Sequence, residues 1–128
     1  MKFNDFKEYC LSFTAAEEQS PYKNNDDLVA FTVMNRVFAI TNPATFEHIY
    51  VKCDPVKAAT LRNLYKEVKP SKFENQRHWN VVNLEGILDD EIIQEWIKDS
   101  YELVFEALPR KKQRVIERMQ KEEEEKES

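Results

Sequence analysis

From Asn75 to Asn83 the chain reads Asn-Gln-Arg-His-Trp-Asn-Val-Val-Asn. Arg77 offers a planar fork for phosphate or carboxylate, and Trp79 a flat ring on which a base can stack. Asn75, His78 and Asn80 add donors and acceptors. Together these are recognition groups. The same residues also suit a purely architectural role, with Trp79 in the core, His78 and Asn80 satisfied by loop backbone and Arg77 paired with an acid. Side chains alternate along a strand. Trp79 and Val81 therefore face one way while His78, Asn80 and Val82 face the other, and one segment can serve both roles.

The run lies at the end of the most basic stretch of the folded part. Arg62, Lys66, Lys69, Lys72 and Arg77 are interrupted only by Glu67 and Glu74, a local charge of +3. Lys69, Lys72 and Arg77, with Arg36 on an earlier turn, are the candidates for phosphate contacts, which are electrostatic and salt-sensitive. Solvated surface lysines give the same pattern without a ligand. Residues 85–106 are the counterpart, with eight acids and one lysine. The whole chain has 19 basic and 24 acidic side chains, a net charge of −5, so an all-round basic footprint for nucleic acid is missing.

Other chemistry is weakly supported. Cys53 lies just before a helix start, where a thiolate is stabilised, but spacing alone brings neither His48 nor His78 to it. Cys10, Cys53, His48 and His78 have no metal-ligand spacing. One glycine in 128 residues leaves no phosphate-cradling loop. Asp89-Asp90 reads as helix-start chemistry. The expectation is a protein that is not an enzyme, with no cofactor and no metal.

The elements that must position these residues follow from pattern. Phe3, Phe6, Cys10 and Phe13 recur at helical spacing and predict a helix over 3–14. Residues 16–27 are polar, with Pro21 and Asn24-Asn25-Asp26-Asp27, and read as a loop. Strands are predicted over 28–33, 37–40 and 48–52, joined by turns at Met34-Asn35-Arg36 and Thr41-Asn42-Pro43-Ala44. Asp54-Pro55 is a helix start, and Val56, Ala59, Leu64 and Val68 form an apolar stripe on a helix that Pro70 ends. A short strand over 72–75 and a longer one over 78–84 follow. A last helix buries Ile92, Ile93, Trp96, Ile97, Leu103, Val104 and Leu108. The order α-β-β-β-α-β-β-α argues an α+β fold, a mainly antiparallel sheet packed by helices. Residues 1–108 form one domain. Residues 109–128 are a charged tail, basic then acidic against the helix dipole, expected as a frayed helix passing into disorder.

Lys52-Cys53-Asp54-Pro55, Ala58-Ala59, Leu61-Arg62, Val68-Lys69-Pro70, Asn75, Arg77-His78-Trp79-Asn80 and Val82 resemble the MmcQ/YjbR family. So do Leu88, Asp90-Glu91, Trp96-Ile97, Asp99-Ser100-Tyr101, Leu103-Val104 and Leu108-Pro109. The chain departs from the family pattern at Ser71-Lys72-Phe73 and at Pro21-Tyr22-Lys23. The resemblance implies a small cytoplasmic α+β protein similar in fold to type III secretion chaperones, of unassigned activity, with DNA binding through a double wing of hairpins suggested for some members. Neither a signal segment nor a membrane span is expected. The resulting expectation is a non-enzymatic binding module, monomer or weak dimer, with DNA as partner through Arg36, Lys69, Lys72, Asn75, Arg77, His78, Trp79 and Asn80. A protein-interaction or chaperone-like module, using a sheet face or the acidic last helix of the domain, is the alternative.

Overall fold

Asp54 shows how local chemistry sets the elements. Its carboxylate accepts the backbone N–H groups of Val56 (3.1 Å) and Lys57 (3.2 Å), and Pro55 opens the helix, so the donors a helix start leaves orphaned are satisfied. Likewise Asn42 Oδ1 accepts the N–H of Ala44 (3.0 Å) and turns the chain between two strands. Met34 and Asn35 have φ of 49° and 65°, the left-handed pair that a two-residue hairpin requires. The structure, a computed structural model, describes residues 1–20, 27–72 and 75–127.

The order is α1 (Phe3–Leu11), β1 (Ala16–Gln19), β2 (Val29–Val33), β3 (Arg36–Thr41), β4 (His48–Lys52), α2 (Pro55–Leu64), β5 (Val68–Pro70), β6 (Trp79–Asn83), α3 (Asp90–Glu106) and α4 (Arg110–Glu127). The strands form one antiparallel sheet in the order β1-β2-β3-β4-β6-β5. This is the expected α+β fold. Its edges are β1, with Glu17 and Glu18 exposed, and the three-residue β5, with Lys69 and Pro70 exposed.

All four helices contribute to one apolar cluster: Phe6 and Cys10 from α1, Ala58 and Leu61 from α2, Ile93, Trp96, Ile97, Tyr101 and Val104 from α3, and Ile116 from α4. They meet Phe31, Ala39, Ile49, Val51, Val68 and Val82 of the sheet. In register Phe31 opposes Ala39, Ala39 opposes Val51, Ile49 opposes Val82 and Val82 opposes Val68, so these share a face. A bulge between Phe31 and Thr32 leaves Phe38 as the extra residue of β3. Ser100 serves the disturbed ladder there. Its hydroxyl donates to the Phe38 carbonyl (2.6 Å) and accepts the Lys52 N–H (2.8 Å), bridging two backbone groups that belong to adjacent strands.

Four expectations need correction. Part of the predicted 16–27 loop is β1, whose polar Ala-Glu-Glu-Gln pairs with β2 as an edge strand; residues 21–26 lie outside the described residues. The apolar stripe on α2 is Ala58 and Leu61, while Val56 and Leu64 are 77% and 68% exposed. The short strand is Val68–Pro70, not 72–75, of which 73–74 are outside the described residues. The tail forms the helix α4 because Ile116, fully buried, anchors it and Thr14 Oγ1 donates to Glu123 Oε2 (3.0 Å). Among the described residues no helix is long and apolar enough to cross a membrane.

Candidate functional site

With the helices on one face, alternation puts His48, Tyr50, Val81, Asn83 and Lys69 on the other. His48 opposes Asn83, Tyr50 opposes Val81, and Val81 opposes Lys69. These five residues floor a groove of about 660 Å³. Lys66 and Glu67, on the turn between α2 and β5, form one wall, and Lys72 and Gln76, between β5 and β6, form the other. Three lysines face one acid, and none of the three lysines is among the ion pairs of the described residues. Glu67 is held in place: its side chain lies over Gly86, where an added Cβ would meet Glu67 Cγ at 2.4 Å. The only glycine is thus required by close approach.

The Asn75–Asn80 turn that borders this groove is built by its own polar groups. Asn75 accepts the Arg77 N–H on Oδ1 (3.0 Å) and the Trp79 N–H on its carbonyl (3.0 Å). Arg62 reaches over from α2. Its Nε donates to Asn80 Oδ1 (2.7 Å), and Nη2 donates to the carbonyls of Trp79 (3.2 Å) and Gln76. Asn80 is only 1% exposed and points into the core, where its Nδ2 has no protein partner. A cavity of about 10 Å³ lined by Asn80, Cys53, Leu61, Val68 and Trp96 lies beside it, about the space of one water.

Asn75, Asn80 and Arg62 are therefore committed to holding the turn. Trp79 is 8% exposed, which removes it as a stacking surface. It lines a separate recess of about 180 Å³ with Arg36, Val37, Lys52, Val104 and Ala107. Arg36 thus stands with Trp79 and not with the lysines. Arg77 is exposed on the turn and His78 half-buried. Of the sequence candidates, Lys69 and Lys72 line the groove. His48, Tyr50, Lys66 and Asn83 were missed as groove residues, although strand alternation from Val81 pointed to one face.

Cys53 donates its backbone N–H to the His78 carbonyl (2.6 Å), so the fold brings these two segments together. Burial pushes the thiol pKa up, and Asp99 and Asp54 add to this against Lys57 and Arg62, the opposite of an activated thiolate. Cys10, buried as well, is also pushed up by burial. Beyond Cys53, Lys57 pairs with Asp99 (2.6 Å) in a shallow hollow walled by Asp54, Glu102 and Glu106, and this hydrogen bond raises the Lys57 pKa. The acidic and basic sides of the molecule are thus separate surfaces.

The YjbR family model matches residues 11–103, which span both the sheet and the groove. The chain belongs to the YjbR family. The uncharacterized protein YjbR of Escherichia coli (strain K12) is 28% identical over 119 residues, covering 91% of this chain and 98% of that protein. YbdF of Escherichia coli O157:H7 is 25% identical over 87 residues, 67% of this chain and 71% of its own. The YjbR-family fold recurs in crystal structures. A Deinococcus radiodurans protein with a DUF419 domain aligns with a TM-score of 0.82 at 23% identity, over 90% of this chain and 87% of that one. A Pseudomonas syringae protein aligns at 0.69 and 23% identity, over 81% and 99%. At this identity the structures establish the fold alone. The YjbR resemblance in the Lys52–Pro55 and Arg77–Asn80 segments therefore maps onto the α2 start and the turn that Arg62 holds.

Proposed function

We propose that this YjbR-family chain is a non-enzymatic binding module that takes DNA on the helix-free face of its sheet. The observation that carries the reading is the groove, where Lys66, Lys69 and Lys72 converge on a floor of polar and aromatic side chains. None of the three is in an ion pair among the described residues, and a lysine ammonium is a compact point charge that can meet a phosphate. The contact set differs from the hairpin-tip arrangement expected at the outset: Lys69 and Lys72 remain in it and Lys66 joins, Arg77 and Arg36 stand outside the groove's lining, and Trp79 and Asn80 leave it for the core. The test is binding of labelled DNA, offered both as duplex and as single strand, at about 50 mM salt. Binding that weakens log-linearly with salt supports the reading. The triple variant Lys66→Glu, Lys69→Glu, Lys72→Glu is expected to abolish it, and unchanged binding by that variant refutes this surface.

A protein-interaction module is the second reading, and one observation favours it. Leu64 and Ile87 are 68% and 88% exposed beside Tyr65, Leu88 and Ile92, around a hollow of about 500 Å³. An exposed apolar patch of this kind marks contact surfaces. A second copy meeting this patch would give a weak dimer. Sedimentation that shows a concentration-dependent dimer, lost in Leu64→Asp, supports it, and a monomer at all concentrations sinks it.

A further inference from the structure

We infer that the nucleic acid of this groove is a single strand, a few nucleotides of which lie along the sheet face with their bases turned to the floor. The inference rests on the DNA-binding reading above and narrows it. Three features carry it: the shape of the site, the chemistry of its floor and the number of its charges.

The groove is concave. Lys66 and Glu67, before β5, and Lys72 and Gln76, after it, flank a floor made by β4, β6 and β5. A duplex presents a convex surface with its bases recessed in grooves, and proteins read it with an element that projects into one of them. Phosphates of a duplex would reach the lysines on the rim and leave the floor unused. An unpaired strand is thin enough to enter between the walls, and a volume of about 660 Å³ lies in the range of sites that enclose small ligands, about 300–1,000 Å³.

The floor suits exposed bases. Tyr50, half-buried, is an aromatic residue of the floor, with Val81 as its cross-strand neighbour. His48 and Asn83 sit at one end, and Gln76 stands on the wall. An aromatic side chain on a strand face, flanked by cations and by carboxamides, is the combination that stacks unpaired bases and meets their hydrogen-bonding edges. Asn83 already spends Oδ1 on the Glu85 N–H (2.8 Å), which fixes its amide group in orientation.

Charge number decides between the two forms. Three lysines and one glutamate line the site, in a chain of net charge −5. A duplex-binding protein with a steep salt dependence makes about 6–10 phosphate contacts, at least twice what three lysines offer. Arg36 lines a different recess and Arg77 is not among the lining residues, so neither raises the number within this groove. A single strand gains from stacking as well as from phosphates, and so needs fewer cations.

The test uses fluorescence anisotropy with the full chain and a labelled oligothymidylate of about 12 nucleotides, against a blunt duplex of the same length. At about 50 mM salt, the single strand is expected to bind at least about tenfold more tightly. Its log–log salt slope is expected near −2, about 0.7 for each of three lysines. Tyr50→Leu is expected to weaken the single strand about fivefold or more while leaving that slope unchanged, and Lys69→Glu with Lys72→Glu to flatten it. An RNA strand that binds alike supports the single-strand class. Equal or tighter duplex binding overturns the inference and leaves the DNA-binding reading standing. No binding to either form at micromolar protein overturns the reading itself. Single-strand binding indifferent to both Tyr50→Leu and the lysine reversals places the strand elsewhere and overturns the inference.

Discussion

Arg62 lies in the basic stretch yet is turned inward, and replacing it with methionine separates the two roles. Arg62→Met keeps the length of the side chain and removes its donors. Three acceptors lose a hydrogen bond, and they are not equivalent. The Gln76 carbonyl belongs to an exposed residue and rehydrates. The Trp79 carbonyl keeps the Ser71 N–H at 3.1 Å. Asn80 Oδ1 has neither escape, because Asn80 is 1% exposed and its Nδ2 has no protein partner already. Orphaning one such buried acceptor is worth about 1–3 kcal/mol. For a domain of this size that lowers the melting temperature by about 3–5 °C per kcal/mol, so a fall of about 3–15 °C is expected. Thermal and urea unfolding followed by circular dichroism measure it. Adding Asn80→Leu supplies the decisive control. With the carboxamide gone, nothing buried is left unpaired, and the apolar residues beside the 10 Å³ cavity accept a leucine. The double variant should recover at least about 1 kcal/mol of the loss from Arg62→Met. A loss below about 0.5 kcal/mol for Arg62→Met, or losses that simply add in the double variant, would refute the clamp.

Four further outcomes follow from the same geometry. Ser100→Ala should destabilise by about 1–3 kcal/mol, because the Phe38 carbonyl and Lys52 N–H lose the hydroxyl that bridges them; a change below experimental error in the urea midpoint refutes that bridge. Ile116→Ala should cost about 2–5 kcal/mol and release α4 to proteolysis, and a protease-resistant variant of native stability would show that the anchor lies elsewhere. Asn35→Gly should stabilise by up to about 0.5 kcal/mol, because φ of 65° costs a residue with a Cβ and is free for glycine, and the one hydrogen bond lost, from Gln19, is exposed; a lower melting temperature contradicts this. Burial raises the Tyr101 pKa from 10.0 to about 12, with Glu123 adding to it. The folded state therefore holds the proton more firmly than the unfolded one, and stability is full below pH 10 and falls as pH rises from about 10 to 12. The slope of stability in that window should shrink in Tyr101→Phe, measured by urea unfolding at several pH values.

What the sequence made legible was what neighbouring residues decide. The β2–β3 hairpin, the strand at His48–Lys52 and the Asp54-Pro55 helix start all follow from caps, turns and alternation within a few residues. β1 was hidden because Ala-Glu-Glu-Gln carries no strand pattern of its own, and its structure comes from pairing with β2 across the sequence. Val56 and Leu64 misled because an apolar residue on a helix need not be inside; the small Ala58 occupies the buried position instead. For α4, a single isoleucine outweighs a run of charges. The site divides in the same way. Lys69 and Lys72 stood out by charge density. Lys66 belonged to the same basic stretch, while His48 and Tyr50 join them only because β4 flanks β6 in the sheet, an order that no local pattern encodes. Trp79 looked like a ligand platform and proved to be buried, 8% exposed beside a recess that it lines with Val37 and Val104.

The two edges of the sheet bear on how the protein behaves when crowded. An open edge invites another chain to continue the ladder and so seeds aggregation. At one end β5 is only three residues long, and Pro70 has no N–H to donate. At the other, β1 carries Glu17 and Glu18 in succession, the second paired with Lys7 at 3.1 Å, so two copies approaching there bring carboxylates together. Both ends resist strand addition. Edge-to-edge joining of copies would meet a missing donor at one margin and paired acids at the other, which lowers the tendency of the sheet to extend from molecule to molecule.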